Sequence, residues 1–360
     1  MADERTQYGG QAVVEGVMMR SPRFFAVACR KLSNGEIVTQ LEPVEKHLRS
    51  VQWLNKPFLR GSLALIDAMA MGIKALTYAA NVQAEDESEK PSPPSPLQNL
   101  GEGRERSGRG EGLAAGAANL AMGEGVIEKE KSSNGTINGI AIGFTTVLSL
   151  VIGFALFWTL PAVLAKKALP LSGSLLQNLA EGGIRLAFFF AYILLISQMK
   201  HIQRVFQYHG AEHKAINTLE SGLPMTLDNA REASRIHPRC GTNFIFIVLV
   251  TSVFVFALLP RHSLLEIVGL RLLCMPIVAG IAFEILKWAG ANRNKAWAQA
   301  LIAPGLWTQL LTTRIPDDSQ IEVAIAALNS VWAAEHEGTN LTVTDLRKDR
   351  ADEEPAAAVA

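Results

Sequence analysis

The chain has 360 residues, of which 49% are apolar and only 19% charged, a charged fraction below the roughly 25% of ordinary soluble domains. Its 34 basic and 34 acidic side chains balance, which argues against the basic excess typical of nucleic-acid-binding proteins, so we expect no nucleic acid partner. Three cysteines are too few for the disulfide framework of a secreted scaffold.

The N-terminal region, residues 1–83, is predicted to lie in the cytoplasm. Its first thirty residues contain charges and paired glycines rather than a continuous apolar run, so we expect no cleaved secretion signal. The segment Gly9–Arg20 is rich in glycine and matches no standard phosphate-binding loop, which favours an ordinary turn over a phosphate site. Residues 24–32 and 37–41 flank an Asn-Gly pair and predict a β-hairpin.

An amphipathic helix is predicted over residues 60–81, where apolar residues recur on one side of the helix. We interpret it as an interfacial or re-entrant helix. Residues 84–112 then turn to Glu, Pro, Ser, Gly and Arg, a composition that cannot bury a core and predicts a disordered linker.

Residues 113–290 are predicted to form a membrane domain, so the fold class is mainly α, a polytopic helical membrane protein whose partner is the lipid bilayer. Four stretches are long and apolar enough to cross a hydrocarbon layer, which takes about 20 helical residues. They lie near 138–164, 182–200, 243–260 and 264–288. The last contains Glu266, Arg271, Glu284 and Lys287, charges that must face other helices, water or one another.

The orientation follows from the basic residues, which are retained on the cytoplasmic side. Residues 200–240 contain six of them, whereas the turn after the third predicted span offers Arg261. Lys166 and Lys167 oppose this orientation but are outnumbered. We therefore predict a cytoplasmic (inner) membrane protein with both termini inside.

The loop 200–242 contains four candidate ligands for zinc or another divalent metal. His209 and His213 are one helical turn apart, so both imidazoles can reach one ion. His237 and Cys240 follow with a two-residue spacing, and Pro238 favours a sharp turn between them. Binding by all four would make a closed, structural site, whereas binding by three would leave a position for water.

Glu212 is the candidate catalytic residue of this loop. It completes an H-x-x-E-H string, the arrangement in which certain zinc peptidases use the Glu as a general base. Those enzymes take a third ligand from a distant Glu, for which Glu284 is the candidate here. The alternative interpretation is a local pair between Glu284 and Lys287.

After the last predicted span, residues 291–341 are predicted to form cytoplasmic helices. Trp288, Trp297 and Trp307 are either interface anchors or core residues. Asp317, Asp318 and Ser319 are expected to cap a helix whose apolar stripe comprises Ile321, Ile325, Leu328 and Trp332. Residues 342–360 are charged and Ala-rich, which predicts a loose tail.

Several motifs resemble the bacterial YqhQ-like integral membrane proteins over nearly the whole chain. They are GGQAVVEGVMMR, FQYHGAEHKAIN, HPRCGTNFIF, PIVAGIAFE and PGLWTQLLTT. The resemblance implies a membrane protein with a metal-dependent role and specifies no substrate; residues 84–112 look like an insertion.

Two functional hypotheses follow. The first is a metal-dependent hydrolase of a peptide or lipid-linked bond, with His209, His213, Cys240 and His237 as metal ligands and Glu212 as base. The second is a non-enzymatic membrane assembly or transport factor in which the metal holds the loop 200–242 together.

Overall fold

The structure is a computed structural model that describes residues 8–44, 60–89, 148–149, 151–168, 174–260, 263–292 and 295–337. Most of the predicted linker, the tail 342–360 and part of the first predicted span lie outside the described residues. A small β-sheet and nine α-helices make up the described part of the chain. The predicted fold class, a mainly helical membrane protein with a small β region, is confirmed.

The sheet is a four-stranded antiparallel meander in the order β1-β2-β3-β4. Its strands are β1 Gly9–Val13, β2 Gly16–Arg20, β3 Phe24–Arg30 and β4 Ile37–Pro43. The predicted hairpin is confirmed as β3 and β4, with Arg30 opposite Ile37 and Gly35 in the turn at φ 73°. The segment Gly9–Arg20 is a second hairpin rather than a turn alone, because its residues alternate between the two faces of the sheet.

The tight turn between β1 and β2 is fastened to a helix. Glu15 lies in the left-handed region at φ 49°, a conformation that is uncommon for residues other than glycine. Its carboxylate accepts hydrogen bonds from Arg204 and, at 3.2 Å, from the hydroxyl of Tyr208. These contacts fix the sheet on the helix that contains His209 and His213.

Helix α1, Arg60–Glu89, packs on one face of the sheet. Met71, Ala75, Ala79 and Val82 are buried there with the sheet residues Val13, Phe25 and Val27. The linker predicted from Ala84 is wrong for residues 84–89, which are helical because Asp86 is buried and accepts a hydrogen bond at 2.9 Å from the backbone N–H of Ser33.

Among the described residues, four helices are long and apolar enough to cross a membrane: Arg60–Ser88 in α1, Val151–Ala168, Leu175–Ile196 and Glu266–Ala291. The second comprises a π-helical stretch, Ala155–Thr159, followed by α2, Leu160–Ala168. The third lies in α3, Ser174–Ile196, which begins before the predicted residue 182 and ends before residue 200. The fourth lies in α7, Leu264–Ala291.

The remaining predicted span, 243–260, is the shorter helix α6, Gly241–Ala257. Its 17 residues give a length of about 26 Å, less than the roughly 30 Å of a hydrocarbon core. Because α6 packs against α3, α7 and the following helix α8, Ala296–Thr312, apolar residues cover its whole circumference.

Two groups of charged residues in the apolar helices form ion pairs. Glu181 of α3 accepts hydrogen bonds from Arg185 of the same helix and from Arg271 of α7, and all three side chains are almost completely buried. Glu284 of α7 pairs with Arg60 at the start of α1. The prediction that the charges of α7 face other helices is confirmed for Arg271 and Glu284.

The other face of the sheet is covered by α4, Lys200–Glu220, and α9, Asp318–Glu337, and the short α5, Leu227–Glu232, packs against both of these helices. Tyr208, Ile216, Ile321 and Leu328 lie in this core. The predicted cap of α9 is present, since Asp317 accepts the backbone N–H of Gln320 at 3.0 Å. Trp332 is 42% exposed, so its assignment to the apolar stripe is wrong; it stacks on His336 instead.

Candidate metal centre

Helix α4 presents His209 and His213 on one face. The two residues are one turn apart, and their ring centroids are 4.5 Å from each other. Both lie in the part of α4 that the sheet and α9 hold in place, and His213 is completely buried. The four-residue spacing of His209 and His213 therefore places the two imidazoles next to each other on a helix that is held in position.

Gly210 allows the chain after α8 to pass close to α4. A Cβ at this position would collide with the carbonyl oxygen of Arg314, and the backbone N–H of Arg314 donates a hydrogen bond to Phe206 at 2.8 Å. This approach brings the carbonyl oxygen of Thr312 to 2.8 Å from Nδ1 of His209. A side chain at residue 210 would remove that arrangement.

Both imidazoles are oriented by backbone carbonyl groups. Nδ1 of His209 lies 2.8 Å from the carbonyl of Thr312, and Nδ1 of His213 lies 2.6 Å from the carbonyl of Arg235. A carbonyl oxygen can only accept, so Nδ1 carries a proton in both rings, and in the neutral ring this leaves the lone pair on Nε2. Metal-binding histidines are typically fixed in this way.

Cys240 supplies the third potential ligand atom. It is the N-cap residue of α6, where its Sγ accepts a hydrogen bond from the backbone N–H of Thr242 at 3.4 Å. The Sγ lies 3.1 Å from Nε2 of His209. Ligand atoms of His209, His213 and Cys240 all lie within 4.8 Å of one another, whereas tetrahedral zinc would place them about 3.4–3.7 Å apart.

The three residues fit a metal ion with side-chain movements of about an ångström. Nε2 of His213 is buried and makes no hydrogen bond within the described residues, although such buried polar atoms normally have a partner. Burial lowers the pKa of His213, and the nearby Cys240 thiol only partly opposes this shift. The ring is therefore neutral, as a metal ligand must be.

His237 is not part of this group. Its backbone is held from both sides by Gln309, which donates to its carbonyl and accepts from its N–H, both at 2.9 Å. Its Nε2 lies 3.4 Å from Glu220, which also pairs with Arg239. Burial lowers the pKa of His237, and Glu212 opposes this shift.

Glu212 lies beside the group and is only 4% exposed. Burial raises the pKa of its carboxyl, while His209, His237 and the backbone N–H of Gly10 act in the opposite direction. A Cβ at Gly10 would collide with the Glu212 side chain and with the carbonyl oxygen of Met18. The glycine of β1 therefore makes room for the carboxylate between the sheet and α4.

A cavity of about 190 Å³ adjoins the group on the side of Cys240. Its walls come from β1, β2, α1, α4 and the turn before α6. The lining side chains that can make polar contacts are Gln11, Arg20, Glu212, His237, Arg239 and Cys240. Glu212 and Cys240 thus connect the potential metal ligands to a space that a small molecule can enter.

Several of these residues escaped the sequence-based prediction. The carbonyl of Thr312 and the side chain of Gln309 come from a segment about a hundred residues from His209, and Arg20 comes from the first hairpin. The strings GGQAVVEGVMMR and PGLWTQLLTT contain Arg20, Gln309 and Thr312, so the signal lay in the same motifs that carry the resemblance. Glu284, the candidate distant ligand, pairs with Arg60 instead.

Fold and site together define a mainly helical membrane protein with a His-His-Cys group beside its apolar helices. The chain belongs to the family described as protein of unknown function (DUF1385), which it matches over residues 56–334. It is 35% identical over 330 residues to "Uncharacterized protein YqhQ" of Bacillus subtilis (strain 168), covering 91% of this chain and 93% of that protein. The predicted resemblance is confirmed. No solved structure matches the chain.

Proposed function

We propose that the protein is a metal-dependent hydrolase whose divalent, zinc-type ion is bound by His209, His213 and Cys240. The observation that supports this proposal is the convergence of three ligand atoms within 4.8 Å, from two different parts of the chain. Catalytic zinc is bound by three protein ligands drawn from His, Cys and acidic side chains, and this leaves one coordination position open.

The separate position of His237 favours an open site over a closed one. Its backbone is held by Gln309, and its Nε2 lies next to Glu220 rather than among the three ligand atoms. The second hypothesis, a structural metal in a non-enzymatic membrane factor, requires His237 as the fourth ligand. In its favour, the rings of His213 and His237 have centroids only 5.8 Å apart.

Glu212 is the proposed proton acceptor. Its carboxylate lines the cavity beside Cys240, and the backbone N–H of Gly10 holds it in place. A bound divalent ion would supply Lewis-acid activation of water and of the scissile bond. Glu212 would take up the proton released by the attacking water and pass it to the leaving group.

The proposed location is the inner surface of the cytoplasmic membrane, with both termini in the cytoplasm. Support comes from the basic side chains of the segment that contains the site, because such residues are retained on the cytoplasmic side. They are Lys200, Arg204, Lys214, Arg231, Arg235 and Arg239. The substrate would be a peptide or a lipid-linked compound that reaches the site from the membrane surface.

Metal analysis of the purified protein tests the ligand set. We expect about one zinc-type ion per chain in the wild type and a loss of that ion in His213→Ala. The matched control is His201→Ala, because His201 is an exposed residue of the same helix. An unchanged metal content in His213→Ala, or an equal loss in His201→Ala, would contradict the proposal.

Two further variants separate the catalytic site from a structural one. We expect His237→Ala to keep its metal, since three ligands remain; loss of the metal would support the closed, structural site. We expect Glu212→Gln to retain metal and thermal stability but to fail to complement a deletion strain. Full complementation by Glu212→Gln would rule out a role of this carboxylate in catalysis.

A further inference from the structure

Arg20 occupies an unusual position in the cavity beside the metal centre. It is the last residue of β2 and partly buried, yet it makes no hydrogen bond or ion pair within the described part of the chain. The opposite charge that acts on its pKa is that of Asp67 in α1, which partly offsets the lowering by burial. Other arginines that lie in or near the sheet and α1 form ion pairs with carboxylates, among them Arg23, Arg30, Arg60 and Arg204.

A partly buried guanidinium without a partner is costly, because it has lost some of its water without gaining hydrogen bonds. The side chain lines the cavity together with Arg239 and with Gly241, the first residue of α6. The N-terminus of a 17-residue helix favours a negative charge, and the guanidinium fork matches the oxygens of a phosphate. Together, these features of the cavity favour the binding of one anionic ligand.

We infer that this cavity binds a phosphate group of the substrate, with Arg20 as the main recognition residue. The inference rests on the proposed function only in assigning the group to a substrate of the metal centre. Arg239 contributes less charge than Arg20, because it already pairs with Glu220.

The size of the cavity indicates how much of the ligand it can take. A volume of about 190 Å³ is smaller than the roughly 300 Å³ at which pockets for drug-sized ligands begin. It therefore fits a phosphate with a few neighbouring atoms, while the rest of the ligand lies outside. Ala68 and Met71 of α1 form part of the wall, and the neighbouring Leu65, Ile66 and Met69 are exposed, which gives an apolar chain a surface to follow.

Titration calorimetry with inorganic phosphate tests the site. The full-length protein is purified in a neutral, phosphate-free detergent and stripped of metal with a chelator, so that any binding belongs to the arginines rather than to an ion. We expect saturable binding by the wild type and an affinity at least about tenfold lower in Arg20→Gln, since a charge-assisted bidentate contact is lost. Arg20→Lys should be intermediate, because it keeps the charge but not the fork.

The matched control is Arg231→Gln, because Arg231 is exposed and pairs with Asp318 rather than lining the cavity. We expect it to bind phosphate like the wild type. Absence of binding by the wild type, unchanged binding by Arg20→Gln, or an equal loss in Arg231→Gln would overturn the inference. Because Arg20 has no hydrogen bond to lose, Arg20→Gln should melt at the wild-type temperature, and that measurement excludes unfolding as the cause.

A second arm identifies the source of the phosphate group. Nanodiscs of phosphatidylcholine with and without phosphatidic acid are compared for their ability to weaken binding of inorganic phosphate. Weaker binding only with phosphatidic acid assigns the site to a lipid headgroup, and unchanged binding assigns it to a soluble phosphate ester. The same titration in His213→Ala separates this inference from the metal proposal, because phosphate binding should persist where metal is lost.

Discussion

At the scale of single residues, the orientation of the histidine rings of α4 depends on the groups that their Nδ1 atoms contact. Nδ1 of His209 meets the carbonyl of Thr312, and Nδ1 of His213 meets that of Arg235. Because these carbonyls set the tautomer and the ring angle, they determine whether both Nε2 atoms face Cys240. Loss of such an outer contact typically costs 10–100-fold in metal affinity.

Gly210→Ala tests this dependence without touching a ligand. The added Cβ would collide with the carbonyl of Arg314 and displace the segment that contains Thr312. We expect zinc affinity, measured by competition with a chromogenic chelator, to fall by about 10–100-fold. The control is Gly183→Ala in α3, where a Cβ meets open space; an equal fall in both variants would show that the close approach at Gly210 is not the cause.

The candidate ligand residues themselves could be predicted from the sequence. The spacing of His209 and His213 specifies a shared helix face, and the turn at Pro238 specifies a change of direction before Cys240. The outer contacts were not accessible, because Thr312 is 103 residues from His209 and no periodicity links them. Arg20 was not predicted either, because the role proposed for it depends on which elements surround the cavity.

At the scale of elements, α3 and α7 are joined by a buried charge cluster. Glu181 lies between Arg185 and Arg271, whose guanidinium groups also lie over the rings of Trp158 and Phe256. One carboxylate thus compensates two positive charges in a place where bare charges are strongly disfavoured. Removal of that carboxylate leaves two buried guanidinium groups without the negative charge of Glu181.

Glu181→Gln should therefore destabilise the helix pair by about 3–5 kcal/mol, the usual cost of leaving a buried charge without its partner. Thermal unfolding in detergent measures the effect. A triple variant, Glu181→Leu with Arg185→Met and Arg271→Met, provides the comparison, because replacing a whole buried cluster by apolar residues is often neutral. If the triple variant were as unstable as Glu181→Gln, lost packing rather than isolated charge would be responsible.

Helix α9 is joined to the sheet by Glu335, and this contact should depend on pH. Ser21 donates to Glu335 at 2.6 Å and Arg23 at 2.9 Å. Burial alone raises the pKa of Glu335, but these hydrogen bonds outweigh it, so the net shift is downward. A lowered pKa stabilises the folded state above the unfolded value of about 4.3, and the stabilisation is lost as the pH falls below it.

We expect Glu335→Gln to melt below the wild type at pH 7, with a gap that narrows as the pH falls from 5 to 3. Melting curves over this range check the prediction. Glu322→Gln on the same helix is the control, because its pair with Arg30 is 49% exposed at the carboxylate and exposed pairs contribute little. A gap that stays constant with pH would mean that Glu335 acts through packing alone.

The elements themselves were predictable to different degrees. The hairpin β3–β4 was predicted by its Asn-Gly turn, and α3 and α7 by their long, predominantly apolar runs. The end of α1 was not, because residues 84–89 have a linker-like composition and Asp86 is fixed by long-range hydrogen bonds from the backbone N–H and the hydroxyl of Ser33. The composition of a segment indicates only what that segment can bury by itself. Here the residue that stabilises the helix end, Ser33, lies about fifty residues earlier in the chain.

At the scale of the whole molecule, the packing of the sheet restricts how the chain crosses the membrane. The sheet, α4 and α9 share one core, so the end of α4 and the start of α9 lie on the same side. The number of crossings between Glu220 and Asp318 is therefore even. If α7, which is long enough to cross, does span the membrane, then one of the 17-residue helices α6 and α8 crosses with it.

The contacts favour α6 as the second crossing helix. It starts at Cys240 beside His209 and is apolar on all sides. The two ends of α8 contact residues on the side of the membrane where α6 begins and α7 ends. At its start, Trp297 stacks on Trp288 at the end of α7, and at its end Thr312 contacts His209. The second half of α1 packs on the sheet, while the helix as a whole is long and apolar enough for a span, so the interfacial or re-entrant helix stays a prediction.

Cysteine labelling in intact cells tests this topology. A cysteine introduced at Pro260, the exposed turn after α6, should react with a membrane-impermeant maleimide added outside. A cysteine at Leu223, in the exposed turn after α4, should react only after permeabilisation, and the wild-type chain gives the background of its native cysteines. Equal labelling of both positions from outside would mean that α6 does not cross the membrane. It would also contradict a position of His209 and Cys240 at the inner surface of the membrane.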